Sequence, residues 1–469
     1  MSAEKKSASP LRAILDVRRG EWELALTMFG YFFLVITTFW ILKPIKKAVF
    51  IRYYAETGLD LFGWHLIAPQ AELIAKVANM AVAAVAVVVF SALSRKLHRE
   101  RLTYVFGAFF LVTLSLYAMV IHHPSDLLAW SYYLYGDLYT TLMVATFFAF
   151  LNDSVTPKAA KRLYGLIVLG GVAGGAFGAS VLNAWIGEVS RESWMWICVA
   201  MNAVIVLLAA NAGRLVRKGT PATRPSAEIA APEPETASSQ NPALEGARLV
   251  FRSPYLLSIV GLVGLYEIVS TVLDFQFTAT IHHYLTGDAI DQQLATVYNI
   301  TNVASLCVQL FLTTALMNRF RLVVPLLATP SVIAVASLGF LIAPFLWVGS
   351  LLNTADGAFS YSVNQSAREA LYTPTSRDEK YKAKAFIDMF VQRFAKSLAV
   401  GVTLTITTIF TDFGSVRWLS LFVLGVIAVW ALAARYGGKR FRELTHEDEA
   451  DDAPPPPVTR SATSKPLPS

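Results

Sequence analysis

The chain has 469 residues, of which 55% are hydrophobic, and its mean hydropathy of +0.49 excludes a soluble globular protein. The formal net charge is +7, but the basic residues cluster in short loops between apolar runs, a pattern that indicates membrane topology and excludes a nucleic-acid-binding patch. Apolar runs long enough to cross a hydrocarbon core of about 30 Å recur along the sequence. The composition therefore predicts an integral membrane protein.

We predict an all-α membrane protein with about 12 transmembrane helices. In chain order the predicted helices cover residues 24–42, 66–92, 103–121, 128–151, 163–186, 194–212, 255–281, 297–317, 322–343, 346–366, 395–411 and 417–436. Loops after the even-numbered helices are rich in Lys and Arg and the other loops are not, so both termini are predicted to be cytoplasmic. The first 23 residues are polar and basic and show no cleavable signal, so the first helix should act as its own insertion signal.

A polar stretch between the sixth and seventh predicted helices divides the chain into two halves. It is rich in Pro, Ala, Glu, Ser and Thr, a composition typical of a flexible linker. Six predicted helices on each side favour two halves of like topology, as in major facilitator transporters. The predicted organisation is a cytoplasmic segment (1–23), an N-terminal half (24–212), a cytoplasmic linker (213–245), a C-terminal half (246–442) and a disordered cytoplasmic tail (443–469).

Catalytic and cofactor motifs are not evident in the sequence. Gly170, Gly174 and Gly178 recur every four residues, but no strand precedes them and no Gly-Lys-Ser/Thr follows, so we interpret them as a helix-packing surface and not a phosphate loop. Cys198 and Cys307 fall in separate predicted helices and are interpreted as packing residues. We predict no cofactor, no metal site and no enzymatic activity.

Charged residues inside the predicted helices are the strongest functional signal. A charge at membrane depth costs about 2.5–3.5 kcal/mol even on the most lenient scale, so such residues are usually paired or face a water-filled cavity. Lys43, Lys46 and Lys47 end the first predicted helix on the side that is otherwise poor in lysine, where snorkelling is unfavourable. Asp137 and Asp274 lie within the fourth and seventh predicted helices. We interpret the three lysines as half of an anion-binding site.

Other intramembrane charges leave two interpretations open. Glu72 and Lys76 are four residues apart on one helix face, which suits either a structural pair or part of the site. Arg393 and Lys396 share a face of the eleventh predicted helix, and they either enter a central cavity or snorkel to the headgroups. If they face inward, cations from two helices would oppose acids from two others. Such a cavity suits a polyanion such as a nucleotide or a sugar phosphate.

One region of the sequence has the residue pattern of a known transporter family. It comprises Tyr361-Ser362, Arg368-Glu369, Tyr372, Pro374, Lys382-Ala383-Lys384-Ala385, Ile387-Asp388, Arg393 and Lys396-Ser397. A second match is Asn152 followed by Ala160-Lys161-Arg162-Leu163-Tyr164. On these motifs the chain resembles the ATP:ADP antiporter family, the nucleotide transporters of plastids and intracellular bacteria, as a divergent member.

The resemblance implies nucleotide exchange by alternating access without hydrolysis. It implies roles for Lys46, Asp137, Asp274 and either Lys384 or Lys396. In the first helix the family's Arg-Asp-Thr-Lys-Asp is replaced by Lys43-Pro44-Ile45-Lys46-Lys47, which makes the site more cationic. From the residues and the resemblance together, the predicted substrate-binding set is Lys43, Lys46, Lys47, Asp137, Asp274, Arg368, Lys384, Arg393 and Lys396.

Two alternatives to nucleotide exchange follow from the same helices. One is a proton-coupled major-facilitator-like carrier of an organic anion or drug-like molecule, with Asp137 or Asp274 carrying the proton. The other is a membrane scaffold or lipid-handling protein without transport activity. For the exchanger we expect a bacterial inner membrane, a monomer surrounded by lipid, a nucleotide or phosphorylated small molecule as substrate, and no nucleic-acid partner.

Overall fold

The computed structural model describes residues 18, 20–218, 242–376, 382–384 and 386–451. These residues contain twelve long helices, six before and six after the gap at 219–241. The first six are α1 (Trp22–Thr57), α2 (Ala68–Lys96), α3 (Arg99–Val120), α4 (Asp126–Ser154), α5 (Pro157–Trp185) and α6 (Arg191–Lys218). The predicted N-terminal segment lies almost entirely outside the described residues.

The second half contains α7 (Pro254–Tyr284), α8 (Asp288–Arg319), α9 (Val323–Ile342), α10, α11 and α12 (Leu419–Asp451). Helix α10 runs Leu346–Phe359, continues as a π turn over Ser360–Asn364 and ends with Gln365–Leu371. Helix α11 begins with the π turn Ile387–Val391 and continues as Gln392–Ile409. Ten of the twelve helices are apolar and long enough to span a membrane, and the other two, α10 and α11, carry π turns and internal charges. The predicted all-α fold with two six-helix halves is confirmed.

Some boundaries differ from the predicted ones. Helix α6 continues to Lys218, and a short helix, Pro242–Arg252, precedes α7, so both ends of the predicted linker are helical. Helix α12 continues to Asp451, past the predicted boundary at residue 442. Residues 219–241 and 452–469 lie outside the described residues.

A small β-hairpin between α1 and α2 has no counterpart in the prediction. Strands β1 (Leu59–Leu61) and β2 (Trp64–Leu66) pair antiparallel, with Leu59 opposite Leu66. Phe62 and Gly63 form the turn with φ values of 51° and 83°, and two positive φ values match the twist of a two-residue hairpin. We call the end of the bundle that carries this hairpin the hairpin end, and the opposite end, where α1 begins and α12 ends, the terminus end.

Helix α1 is longer than predicted, and this corrects the position of the three lysines. It continues beyond Lys47 for almost three more turns, to Thr57, with Pro44 in its interior. Phe50 and Ile51 in this extension are fully buried. The hydropathy pattern ended the helix early because the lysines interrupt it. They therefore lie inside the helix, within the bundle, and not at its end.

Two hydrophobic cores correspond to the two halves, and a third joins them. One core draws mainly on α1 and α3 to α6, and the second mainly on α7 and α9 to α12. The third cluster, towards the hairpin end, combines residues of α1, α2 and α4 with residues of α7 and α8. Its members include Phe50, Tyr54, Tyr133, Phe277 and Leu294. The halves are therefore sealed together by apolar side chains towards the hairpin end.

Close packing of α5 on α1 fixes the orientation of the lysine-bearing helix. A Cβ at Gly174 would overlap the Phe33 backbone, and one at Gly178 would overlap the Thr37 carbonyl. The Thr37 hydroxyl donates to the Gly174 carbonyl oxygen at 3.1 Å. The helix-packing interpretation of these glycines is confirmed, since only glycine allows the two backbones to approach so closely.

Candidate functional site

A cavity of about 590 Å³ lies between the two halves, on the terminus-end side of the apolar seal. Residues of α1, α2 and α4 form one wall, and residues of α7, α8, α10 and α11 form the other. Its basic side chains are Lys43, Lys46, Lys47, Lys76, Arg393 and Lys396, and its acidic ones are Glu72, Asp137, Asp274, Asp356 and Asp388. The cavity is thus lined by charges of both signs at membrane depth, where each needs a partner or a ligand.

Lys46 is neutralised within the N-terminal half. Its ammonium lies 2.5 Å from Asp137 Oδ1 and 4.7 Å from the centre of the Tyr133 ring. The Asn79 side-chain amide donates to the other oxygen of Asp137. Lys46 is only 5% exposed, whereas the Asp137 side chain is 35% exposed. Both predicted residues therefore line the cavity as a hydrogen-bonded ion pair.

A second network joins the two halves through the centre of the cavity. Lys47 Nζ of α1 lies 2.8 Å from Asp274 Oδ1 of α7 and 3.1 Å from Glu72 Oε1 of α2. Lys76 of α2 also contacts Asp274, and the Asn353 amide of α10 donates to Asp274 Oδ1 at 3.3 Å. Glu72 and Lys76 are therefore more than a local helix pair. We call Lys47, Glu72, Lys76 and Asp274 the cavity network.

Glu72 is held in place by hydroxyl groups from both halves. The Tyr133 hydroxyl donates to Glu72 Oε1 at 3.0 Å, and the Thr278 hydroxyl donates to Oε2 at 2.8 Å. Glu72 is 1% exposed. A carboxylate this deeply buried is stable only because both of its oxygens accept hydrogen bonds and a lysine lies beside it.

Lys43 and Arg393 line opposite walls of the cavity without a carboxylate partner. The Lys43 ammonium lies over the rings of Trp40 at 4.5 Å, Tyr298 at 4.9 Å and Phe39 at 5.7 Å. Within the described residues, neither Lys43 nor Arg393 forms an ion pair. Aromatic faces stabilise a cation without cancelling its charge, so Lys43 remains available to an anion.

The structure separates the two candidate lysines near the eleventh helix. Lys396 lines the cavity, with its ammonium 3.3 Å from Glu267 Oε2. Lys384 lies outside the cavity lining and pairs with Glu369 at 2.6 Å. Arg368 is also absent from the lining, and its guanidinium is 4.0 Å from Asp388. Seven of the nine predicted residues thus meet at one cavity, and Arg368 and Lys384 do not.

Several cavity residues were not among the predicted site residues. Lys76 was recognised only as the partner of Glu72, and Asn79 and Asn353 carry no charge that would mark them in a hydropathy pattern. Asp356 is an acid within the tenth predicted helix (346–366), and its spacing of three residues from Asn353 places both on one face of α10. This helical spacing is the signal that could have added them.

A third set of ion pairs closes the hairpin end. The Arg52 guanidinium of α1 contacts Asp288 at 2.5 Å and Asp291 at 2.8 Å, both at the start of α8. Arg191 at the start of α6 donates to both oxygens of Asp291, at 3.1 and 2.8 Å. We call Arg52, Arg191, Asp288 and Asp291 the hairpin-end network. This network joins the two halves. At the terminus end, each ion pair among the described residues joins two residues of the same half.

Two family models match the chain. The model described as Major Facilitator Superfamily matches residues 28–377, and the model described as TLC ATP/ADP transporter matches residues 342–441. The second match contains the motif region from Tyr361 to Ser397 on which the resemblance to nucleotide transporters was based.

Curated relatives match over most of the chain at low identity. ADP,ATP carrier protein 1 of Chlamydia pneumoniae is 22% identical, over 95% of this chain and 98% of its own length. ADP,ATP carrier protein 3 of Rickettsia felis is 22% identical, over 82% of this chain and 87% of its own length. The chloroplastic ADP,ATP carrier protein 1 of Arabidopsis thaliana is 23% identical, over 69% of this chain and 56% of its own length.

Solved structures support the fold. A mutant of the nucleoside transporter NupG superimposes with a TM-score of 0.60 at 14% identity, covering 88% of this chain and 99% of that one. A bacterial homologue of the human lysosomal transporter Spinster, in an inward-facing state, superimposes with a TM-score of 0.54 at 12% identity, covering 91% and 99%. The matches together confirm the resemblance seen in the sequence. The chain belongs to the Major Facilitator Superfamily and is a divergent member of the ATP/ADP transporter family.

Proposed function

We propose that this protein is a secondary transporter that exchanges nucleotides, ATP and ADP or a related phosphorylated anion, across a membrane by alternating access. The observation that carries the proposal is the central cavity, in which two lysines of the N-terminal half are paired with Asp274 of the C-terminal half. The relatives that match nearly the whole chain are named as ADP,ATP carriers, which supports the substrate class.

The arrangement of charges suits a substrate that carries several negative charges. Lys43 and Arg393 lack carboxylate partners among the described residues and offer the first contacts to phosphate. Lys46, Lys47 and Lys76 then exchange a carboxylate partner for a phosphate oxygen. Each charge-assisted hydrogen bond of this kind stabilises by about 1.5–3 kcal/mol. Because one anion replaces another, no buried ammonium is left unpaired during the exchange.

Replacement of Asp274 by phosphate would also link binding to the change of state. Asp274 of α7 joins the C-terminal half to Lys47 and Lys76 of the N-terminal half. A phosphate that binds these lysines breaks their ion pairs with Asp274 of α7. The loaded carrier therefore changes conformation more readily than the empty one. An empty carrier keeps these ion pairs and remains in the same conformation until a new substrate binds. This behaviour is what obligatory exchange requires.

We further propose that the transporter resides in a bacterial inner membrane as a monomer with both termini in the cytoplasm. The basic loops at the terminus end support this orientation by the positive-inside rule. In this orientation the hairpin-end network closes the outer side, and the cavity opens to the cytoplasm. Transport proceeds without hydrolysis, so the protein is not an enzyme.

The alternative of a carrier in which Asp137 or Asp274 carries a proton is less well supported. Each of these aspartates lies beside at least one lysine ammonium, at 2.5 Å for Asp137 and 2.8 Å for Asp274. Both carboxylates are thus engaged in ion pairs with lysine, which is the role of a charge partner.

Thermal stability of the purified protein against a panel of nucleotides, nucleosides and sugar phosphates tests the proposed function. A ligand at 100 times its Kd stabilises by about 2.7 kcal/mol, so a bound nucleotide raises Tm measurably. In Lys43→Gln the shift should shrink strongly, because Lys43 contributes uncompensated charge to the cavity. Lys96→Gln, at the exposed end of α2, is the matched control and should respond like wild type.

Positive results should be followed by exchange of radiolabelled nucleotide in proteoliposomes. Loss of the label only when unlabelled nucleotide is present on the opposite side would support exchange. Equal stabilisation by nucleosides and nucleotides would contradict phosphate recognition by the cavity. No shift across the panel, with protein shown to be folded, would contradict the substrate class.

A further inference from the structure

One buried acid in the cavity has no cation beside it. Asp356 of α10 is 8% exposed and lines the cavity. Its Oδ2 accepts a hydrogen bond from the Ser270 hydroxyl of α7 at 2.6 Å. Its Oδ1 is buried and has no hydrogen-bond partner. No lysine or arginine among the described residues forms an ion pair with it.

The other acidic side chains of this region all have a cation beside them, and Asp388 lies 4.0 Å from Arg368. Glu72 and Asp274 share Lys47 and Lys76, Asp137 pairs with Lys46, and Glu267 pairs with Lys396. Asp356 therefore differs from its neighbours in a way that their shared location does not explain. The absence of a cation points to a different ligand for this carboxyl group.

The side chains around Asp356 also distinguish it from the other acids of the cavity. The titratable and charged side chains that face this part of α10 are Tyr266, Glu267 and Asp274 on α7, Tyr298 on α8, Asp388, Arg393 and Lys396 on α11, and Lys43 and Lys47 on α1. Helix α9, which also contacts α10, has no ionisable residue among Val323–Ile342. Of the cations in this set, Lys47 and Lys396 pair with other carboxylates, and neither Lys43 nor Arg393 forms an ion pair with Asp356. The nearest acids disfavour a negative charge on Asp356.

A buried carboxyl group without a cation is more stable in its neutral form. The hydrogen bond from Ser270 occupies Oδ2 and leaves Oδ1 as the atom that holds a proton. The π turn Ser360–Asn364 begins one turn after Asp356, and π turns inside helices commonly mark functional positions. Since Asp356 belongs to the cavity lining, a proton reaches it from the same space as the substrate.

From this geometry we propose that Asp356 is a proton-binding site and that the proton moves together with the nucleotide, in the same direction. The proposal rests on the proposed function. An anion that enters the cavity brings negative charge towards Asp356 and thereby strengthens proton binding. By linkage the bound proton strengthens anion binding by the same factor. Proton and substrate are therefore loaded together, which is the condition for co-transport.

Infrared difference spectroscopy of the purified protein tests the proton site without any substrate. Wild type should show the C=O band of a neutral buried carboxylic acid, and Asp356→Asn should lack it. Asp388→Asn is the matched control, because Asp388 lines the same cavity but its side chain is 42% exposed. It should retain the band. A band that persists in Asp356→Asn, or that is lost in Asp388→Asn, overturns the assignment.

Nucleotide affinity measured as a function of pH then tests the coupling. In wild type the Kd should fall as pH falls, by up to about tenfold per pH unit for one linked proton. Because asparagine resembles the neutral acid, Asp356→Asn should bind nucleotide at all pH values with a nearly constant Kd. In proteoliposomes loaded with unlabelled nucleotide, an inward proton gradient should speed the exchange uptake of labelled nucleotide by wild type and not by Asp356→Asn. A pH-independent Kd in wild type, or unchanged gradient-driven uptake in the variant, contradicts co-transport.

The two experiments separate this proposal from the proposed function. If the infrared band depends on Asp356 but no nucleotide binds, the proton site stands and the substrate class is wrong. If nucleotide binds and exchanges while neither the band nor the pH dependence involves Asp356, the transporter stands and the proton site is wrong.

Discussion

Two ion-pair networks join the halves of this transporter, and they differ in the cations they use. The hairpin-end network uses Arg52 and Arg191, whose guanidinium groups both bind Asp291, and the Asp291 side chain is 7% exposed. The cavity network uses Lys47 and Lys76, which share Asp274 and Glu72. The Arg191 guanidinium holds Asp291 through two hydrogen bonds in a fixed geometry, whereas an ammonium acts as a point charge that accepts any anion.

The difference suggests a division of labour. The hairpin-end network is suited to hold one conformation, because its geometry is specific for carboxylates of α8. The ion pairs of the cavity network are suited to replacement by a substrate, because phosphate offers negative charge and more acceptor oxygens than Asp274. The following predictions test this comparison, from the largest expected effect to the smallest.

Removal of one lysine from the cavity network should have the largest effect. Lys47→Ala leaves Asp274 and Glu72 with Lys76 alone, and breaking a buried pair in this way destabilises by about 3–5 kcal/mol. We expect a lower Tm and loss of nucleotide exchange. In the double variant Lys47→Ala/Asp274→Ala, Tm should recover in part, but exchange should not. Full exchange by either variant would show that the network has no role in transport.

The hairpin-end network should control conformation and not affinity. Asp291→Asn weakens its contacts with both arginines, and we expect the population to shift towards a state open at the hairpin end by about 1–3 kcal/mol. A cysteine at Thr301, which lines the cavity, reports this opening in a background where Cys198 and Cys307 are replaced by alanine. Impermeant thiol reagents added from the hairpin end should label it faster in Asp291→Asn. Unchanged labelling would show that the apolar seal alone closes this end.

The two lysines near α11 should behave differently. Lys396→Gln removes a cation from the cavity, and we expect nucleotide affinity to fall about tenfold, or ~1.4 kcal/mol. Lys384→Gln removes half of an exposed pair with Glu369, which contributes about 0–1 kcal/mol to stability. Its nucleotide affinity should match wild type. The opposite result, a weak effect at Lys396 and a strong one at Lys384, would place the substrate nearer the terminus end.

Removal of one hydroxyl group that donates to Glu72 should give the smallest effect. Thr278→Val keeps the shape of the side chain and removes the donor to Glu72 Oε2, at an expected cost of about 1 kcal/mol in the free energy of unfolding. Nucleotide exchange should slow only slightly, because Tyr133 and both lysines still hold Glu72. A complete loss of exchange would show that Thr278 itself contacts the substrate.

Much of this molecule follows from the sequence alone. Three features were predictable: the twelve helices, the division into halves and the unusual lysines of α1. Hydropathy and charge are local properties of the chain, and they determine directly which segments enter the membrane. The motif from Tyr361 to Ser397 indicated the family correctly. The four-residue spacing of Gly170, Gly174 and Gly178 predicted close helix packing for the same reason, since residues four apart share one helix face.

Other features were decided only by the tertiary structure. The extension of α1 beyond Lys47 depends on partners from α2, α4 and α8 that cover its apolar face. The choice of Lys396 over Lys384, the position of Lys76 beside Asp274 and the isolation of Asp356 depend on how distant helices are rotated against one another. A sequence shows which charges are expensive to bury, but only the packing of helices far apart in the chain decides which opposite charge, if any, lies within reach.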